Sequence, residues 1–266
     1  MIKLFTVAHR RPDFIGLQFQ SFQKHLQEPF EFVVFNNAVF DIDKNNYEKI
    51  KTVCSKIGIQ AIDIVRTSAI EDPCQVQESV FPSLFLPNGT YSNANIACAY
   101  PLCWAWKTHI CWEKTPICFL ESDMFLMAPI KLSDFLQGYD IGFHPMQYRL
   151  GDRISDINMH SGMILTNPSL LPSPETMDWY CGTAKGIPVD VGGQTYKYLQ
   201  AHPGLRQLHI GATPTVDEAD FTGIDYEWYS ISGNPIVLHY RAGSNWNQKS
   251  AEYHEKKTKW LQEKLA

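Results

Sequence analysis

The chain has 266 residues, 44% of them hydrophobic and 19% charged, with a formal net charge of -5. That supplies apolar material for a full core without a disulfide framework, and the acidic balance speaks against a nucleic-acid partner. No apolar run approaches the roughly 20 residues of a membrane span, and the start at residues 1–8 is too short and strand-like for a leader, so a cytoplasmic protein with no membrane span is expected.

In chain order, residues 2–8 form a short β run, and residues 12–25 have helical spacing through Phe14, Leu17, Phe19 and Phe22. A second strand at residues 32–35 ends in Asn36-Asn37, a helix follows at 47–57, and a third strand spans 59–65. Strands alternating with helices at this spacing imply right-handed crossovers and a mostly parallel sheet flanked by helices, an α/β fold. Residues 66–91 break the rhythm with Pro73, Pro82, Pro87 and Gly89. A long irregular stretch of this kind inside a domain is usually either functional or mobile. Ser92 can cap a helix over 93–112, in which Pro101 marks a kink or a restart. Residues 117–120 are a buried strand. The second half reads as a short helix at 132–136, strands at 140–143 and 159–165, a helix at 194–199, a strand at 235–240 and an amphipathic helix at 251–265. No linker or repeat interrupts residues 1–266, so one domain is expected, divided into halves at 1–126 and 127–266. The seven cysteines (Cys54, Cys74, Cys98, Cys103, Cys111, Cys118 and Cys181) form no C-x-x-C pair and sit mostly in apolar segments, as reduced, mostly buried thiols do.

The chemistry concentrates at two places. Glu121-Ser122-Asp123 follows the buried strand Ile117-Cys118-Phe119-Leu120. Acids two apart in extended chain point the same way. At a strand's carboxyl end, where open α/β sheets bind ligands, hard oxygen donors suit Mg²⁺ or Mn²⁺. More than a hundred residues later, His239 ends the apolar run 236–238 and precedes Gly243-Ser244-Asn245-Trp246, a turn whose N–H groups can cradle phosphate.

The order of Thr6-x-x-His9-Arg10-Arg11-Pro12-Asp13, Phe35-Asn36-Asn37-Ala38, Leu120-Glu121-Ser122-Asp123 and His239 with its Gly-Ser-x-Trp turn resembles the nucleotide-sugar-dependent glycosyltransferases of the GT-A fold, family 2 in particular. The resemblance implies that Thr6, Ala8 and Arg10 line the nucleoside pocket and that Asn36 contacts the base. It implies that Asp123 and His239 bind Mn²⁺ or Mg²⁺, and that Glu121 and Ser122 meet the ribose or donor sugar. Ser161 and Gly162 would border that sugar, and Gly243, Ser244 and Trp246 would border the diphosphate. The sequence departs from the family in carrying Glu rather than Asp at the head of the acidic motif. Asp190, before the Gly192-Gly193 bend, is the expected catalytic base, with Asp217 and Glu218 as rivals. The expected activity is transfer from a nucleoside-diphosphate sugar, a UDP-sugar, to a glycan hydroxyl with inversion by direct displacement. Two other readings stand beside it: a sugar nucleotidyltransferase, disfavoured because the loop after the first strand lacks glycine, and a non-catalytic sugar- or nucleotide-binding protein.

Overall fold

A computed structural model of the chain describes residues 1–38, 45–65, 94–217, 224–241 and 250–266. The first half runs β1 (Ile2–Ala8), α1 (Pro12–His25), β2 (Phe30–Asn36), α2 (Asn45–Ile57), β3 (Gln60–Asp63), α3 (Ala94–Thr108), β4 (Ile117–Leu120) and β5 (Met124–Leu126). Next come β6 (Ile141–Met146), the small hairpin β7 (Arg149–Leu150) and β8 (Arg153–Ile154), and β9 (Asn158–Thr166). A second hairpin, β10 (Gly182–Ala184) and β11 (Ile187–Val189), leads to α4 (Tyr196–Ala201) and β12 (Gln207–His209). The chain closes with β13 (Gly211–Asp217), β14 (Ile224–Ile231), β15 (Asn234–His239) and α5 (Ala251–Leu265).

The central sheet has seven strands in the order β12-β6-β9-β4-β1-β2-β3. Its pairings are parallel except where β9 meets β4 and β6. Side chains alternate across β1: Ile2, Leu4 and Ala8 join Ile15, Phe22 and Ile50 from α1 and α2 on one face. Phe5 on the opposite face joins Ile96, Tyr100 and Trp104 from α3. The sheet is thus buried on both sides, the usual consequence of helical crossovers.

Helix α3 runs through Pro101 instead of stopping there. Proline has no N–H to give the carbonyl four residues back, and that carbonyl, of Ala97, accepts a hydrogen bond from Asn37 Nδ2 at 3.2 Å instead. Pro12 opens α1, where a missing N–H costs nothing. Ser250 caps α5 by accepting the Tyr253 N–H at 3.2 Å.

A second sheet, of four antiparallel strands in the order β13-β14-β15-β5, is an addition to the sequence-based expectation. The chain passes from one sheet to the other in the tight turn between β4 and β5, where the Met124 N–H reaches the Glu121 carbonyl at 3.0 Å. The two sheets share a core in which Leu120, Met163, Tyr229 and Val237 pack together. Five of the described cysteines are buried and all are free. Among the described residues no helix is long and apolar enough to cross a membrane.

Candidate metal centre

Two registers build the site. On β9, Met163 sits opposite Leu120, and the Glu121 N–H donates to the Gly162 carbonyl at 2.9 Å, so the acidic turn is tied to the central sheet. On the other side, β15 pairs with β5 so that His239 lies opposite Met124, and the Tyr240 N–H reaches the Asp123 carbonyl at 2.8 Å. His239 is therefore held beside Asp123 by backbone pairing. Helix α1 locks the turn from beneath. Gln18, fully buried, donates its amide to the carbonyls of Glu121 at 3.0 Å and Met124 at 2.9 Å.

The result is a cluster of Glu121, Asp123 and His239, with one ligand atom from each lying within 4.8 Å of the others, that could hold a metal ion. His239 Nε2 is 3.5 Å from Asp123 Oδ1 and 3.7 Å from Glu121 Oε2. The opposite ring nitrogen, Nδ1, meets Glu227 Oε2 at 3.1 Å, across the β14–β15 pair in which Glu227 and His239 are direct partners. A carboxylate on the far nitrogen is the arrangement that fixes a ligand imidazole's tautomer and turns its other lone pair toward a cation. Ser161 donates its hydroxyl to Glu121 Oε1 at 2.8 Å, orienting that carboxylate. The donor set fits a hard or borderline divalent ion.

Electrostatics agree. Burial opposes a charge on His239, but the carboxylates of Asp123, Glu227 and Glu121 outweigh it and raise the imidazole to about 10. Burial alone would raise Glu227, and its bond to His239 reverses the effect and holds that carboxyl below its ordinary value. An imidazolium thus balances the acids where a cation would otherwise do so.

Strand β9 is irregular here. Between its pairings with Phe143 and Pro145, residues 160–163 bulge away from β6 and are aimed toward the acidic turn, as bulges beside functional sites commonly do. Gly162 is required by packing: a Cβ there would stand 2.6 Å from Met124 Cε and 2.9 Å from both His160 Nδ1 and the Tyr229 hydroxyl. His160 Nδ1 accepts the Gly162 N–H at 3.0 Å, and burial lowers its pKa, so this imidazole is neutral and structural.

The other expected residues divide. Asp190 is exposed, on a turn that packs against β9: Gly192 has φ +83, and a Cβ there would come within 2.1 Å of the Met159 carbonyl oxygen. Its Oδ1 accepts the Val191 N–H at 2.8 Å, so it caps its own turn and not α4. The Cys98 thiol, open to solvent yet crowded by protein, is pushed up to about 12 by burial and then by the charges of Glu121, Asp190 and Asp123. Asp190, Glu121 and Asp123 thus all lie close enough to the Cys98 thiol to act on its charge. Thr6 is fully buried, and its Oγ1 has no hydrogen-bond partner among the described residues. Ala8 is buried and its carbonyl accepts the Asn37 N–H at 2.8 Å, while Arg10 is exposed. Ser122 is partly exposed in the turn.

Asn36 departs from its expected role as a base contact. Its Oδ1 accepts the Ala38 N–H at 3.1 Å, and its Nδ2 donates to the Tyr47 carbonyl at 3.3 Å and to Asp63 Oδ1 at 3.4 Å. Gly243, Ser244, Trp246 and the rival base Glu218 lie outside the described residues. Trp179 is a core residue packed on Trp106.

Two contributors escaped the sequence reading, Gln18 and Glu227. The alternation of Tyr226, Trp228 and Ser230 could have revealed β14, and with it a carboxylate between two rings. No protein-family model matches the chain, and no curated protein matches it.

Proposed function

We propose that this protein is a glycosyltransferase of the GT-A type. It takes a sugar from a nucleoside-diphosphate sugar, a UDP-sugar, and transfers it to a glycan hydroxyl. The observation that carries the reading is the meeting of Asp123 and His239 at the carboxyl edge of β4, from positions more than a hundred residues apart, with the His239 Nδ1 tied to Glu227. Asp123 and His239, with Glu121 beside them, would hold Mn²⁺ or Mg²⁺, and the bound ion supplies charge neutralisation for the departing diphosphate. Ser161 holds Glu121 in place toward the donor. Thr6 has a fully buried hydroxyl near the end of β1 with no hydrogen-bond partner among the described residues. Asn36 has no part in this reading, because its amide is used within its own loop.

Asp190 is the proposed base. Its second carboxylate oxygen has no hydrogen bond among the described residues, and the backbone turn around it is pinned by Gly192. It would take the proton of the acceptor hydroxyl as that oxygen attacks the anomeric carbon from the face opposite the leaving group.

Thermal melting with UDP-sugars, with and without Mn²⁺, tests the reading. A ligand bound only by the native state raises the melting temperature by mass action. The expected result is a stabilisation that requires both nucleotide and cation and is lost in Asp123→Ala. Equal stabilisation in that variant overturns the assignment.

A further inference from the structure

Away from the metal centre, a cavity of about 530 Å³ lies between the β7–β8 hairpin, the start of β9, α4 and β12. The geometry points to a second carbohydrate subsite in this groove, one that holds a stretch of uncharged acceptor oligosaccharide distal to the reacting hydroxyl. This inference rests on the glycosyl-transfer reading above.

Four observations carry it. The lining is amphipathic in the way a pyranose is. Gln147, Gln200 and Gln207 supply amides, of which Gln147 spends one N–H on the Ser155 carbonyl and Gln207 shares its oxygen with His209, while the Tyr196 ring, Ile154 and Ile157 supply apolar faces. Ile154 and Ile157 are 40% and 44% exposed, so apolar surface is left open at the groove's lip. The groove carries little net charge, because its one acid, Asp156, is paired with its one cation, Lys185, at 2.5 Å. That balance disfavours phosphate or a basic peptide and suits a neutral polyol.

The shape is that of a chain site. Gln147 follows the carboxyl end of β6, whereas Gln207 pairs with Ile141 at its opposite end, so the groove extends along much of a six-residue strand. Its volume falls in the range of roughly 300–1,000 Å³ typical of small-molecule sites.

The groove also has short chain connections to the proposed centre. β6 and β4 both run antiparallel to β9 and so end at the same edge of the sheet. Ile157 is five residues from Gly162, at most about 17 Å along the strand. Lys185, in the turn of the β10–β11 hairpin, belongs to the groove wall, and the same hairpin ends at Val189, next to Asp190. One hairpin thus links the distal groove to the proposed base. A chain threaded from Gln207 past Tyr196 and Ile157 would lead toward Asp190.

The test uses the full chain without cation or nucleotide, applied to a printed array of plant-, bacterial- and animal-type oligosaccharides, with affinities for retained glycans measured by calorimetry. Wild type is expected to retain neutral oligosaccharides longer than one sugar. Tyr196→Ala should weaken that binding at least tenfold, and Gln200→Leu, at an exposed helix position safe for folding, several-fold. Both variants should keep the Mn²⁺-dependent thermal stabilisation by UDP, and Asp123→Ala should lose that stabilisation while still binding the oligosaccharide. The groove can therefore fail while the donor site stands, or the reverse. The inference is overturned if wild type retains no glycan, or if both groove variants bind as tightly as wild type. It is equally overturned if Tyr196→Ala instead abolishes a concentration-dependent dimer, which would make the groove a contact between two copies.

Discussion

Titrating Mn²⁺ into the protein at a series of pH values forces His239 to give up a proton. Without a cation its imidazole is raised to about 10: burial opposes the charge, and Asp123, Glu227 and Glu121 overcome that opposition. A cation ligand must be neutral imidazole, so binding and deprotonation are linked. At pH 7 the proton lies about three pH units below its midpoint, equivalent to about 4 kcal/mol that the cation must overcome. Affinity should therefore rise about tenfold per pH unit through the neutral range, roughly 100-fold between pH 6 and pH 8, and level off near pH 10. Calorimetry at pH 7 in two buffers of different ionisation enthalpy should show about one proton released per Mn²⁺ bound. The linked stability has a defined sign. A histidine raised on folding contributes stability that is complete below its unfolded value near 6.5 and is lost as pH rises through 10. The cation-free protein should accordingly lose this contribution across that window, and the Mn²⁺-loaded protein should not. Zero proton release, or a flat affinity between pH 6 and 8, would refute the pairing of His239 with the carboxylates.

Three further outcomes follow from the same geometry. Glu227→Ala removes the acceptor that orients His239 Nδ1 and should weaken Mn²⁺ binding by roughly 10–100-fold; calorimetric affinity equal to wild type would show that the imidazole is held some other way. Gln18→Leu leaves the Glu121 and Met124 carbonyls without their side-chain donor and should cost about 2–4 kcal/mol in urea unfolding, together with weaker cation binding as the turn loosens. Lys257, nearly fully buried against Tyr240 with its Nζ 4.2 Å from the ring centre, is lowered to about 8 by burial in spite of Asp225. The unfolded chain then binds the extra proton between about pH 8 and 10.5, so the Lys257 contribution to stability rises across that window, against the loss from His239. In Lys257→Met this rise, up to about 3 kcal/mol, should be missing from the profile, and identical pH profiles by chemical denaturation would count against the buried charge.

Where periodicity is local, the sequence is a good guide to this fold. The bounds of β1, α1 and α5 match the reading by pattern, because Ile2, Leu4 and Ala8, or Phe14 and Phe22, repeat at the period of their element and face one core cluster or the next. The mostly parallel sheet followed from the same alternation. The second sheet did not: its β13–β14 and β14–β15 pairings are local hairpins whose first two strands were not read from the sequence, and its β15–β5 pairing joins residues about 110 positions apart. β5 is three apolar residues that read as a continuation of β4, and nothing near Met124 announces that Val237 and His239 will lie across from Leu126 and Met124. Missing that sheet meant missing Glu227, whose function exists only opposite His239. The acidic motif and His239 were legible as separate residues, and their meeting was expected from resemblance alone. Asn36, a base contact by resemblance, has its short amide engaged locally, closing the turn into Ala38 and tying β3 and α2 to the loop. Gly162 was expected to border the sugar, and the neighbours Met124, His160 and Tyr229 give a second, packing reason for glycine at that position.

The most direct test of the central claim is the release of UDP from UDP-sugars by purified protein, followed with and without Mn²⁺ in wild type, Asp123→Ala and His239→Ala. The account predicts release that requires the cation and falls by orders of magnitude in both variants. Release at the wild-type rate in either variant, or no release from any UDP-sugar with cation and glycan acceptors present, would contradict it.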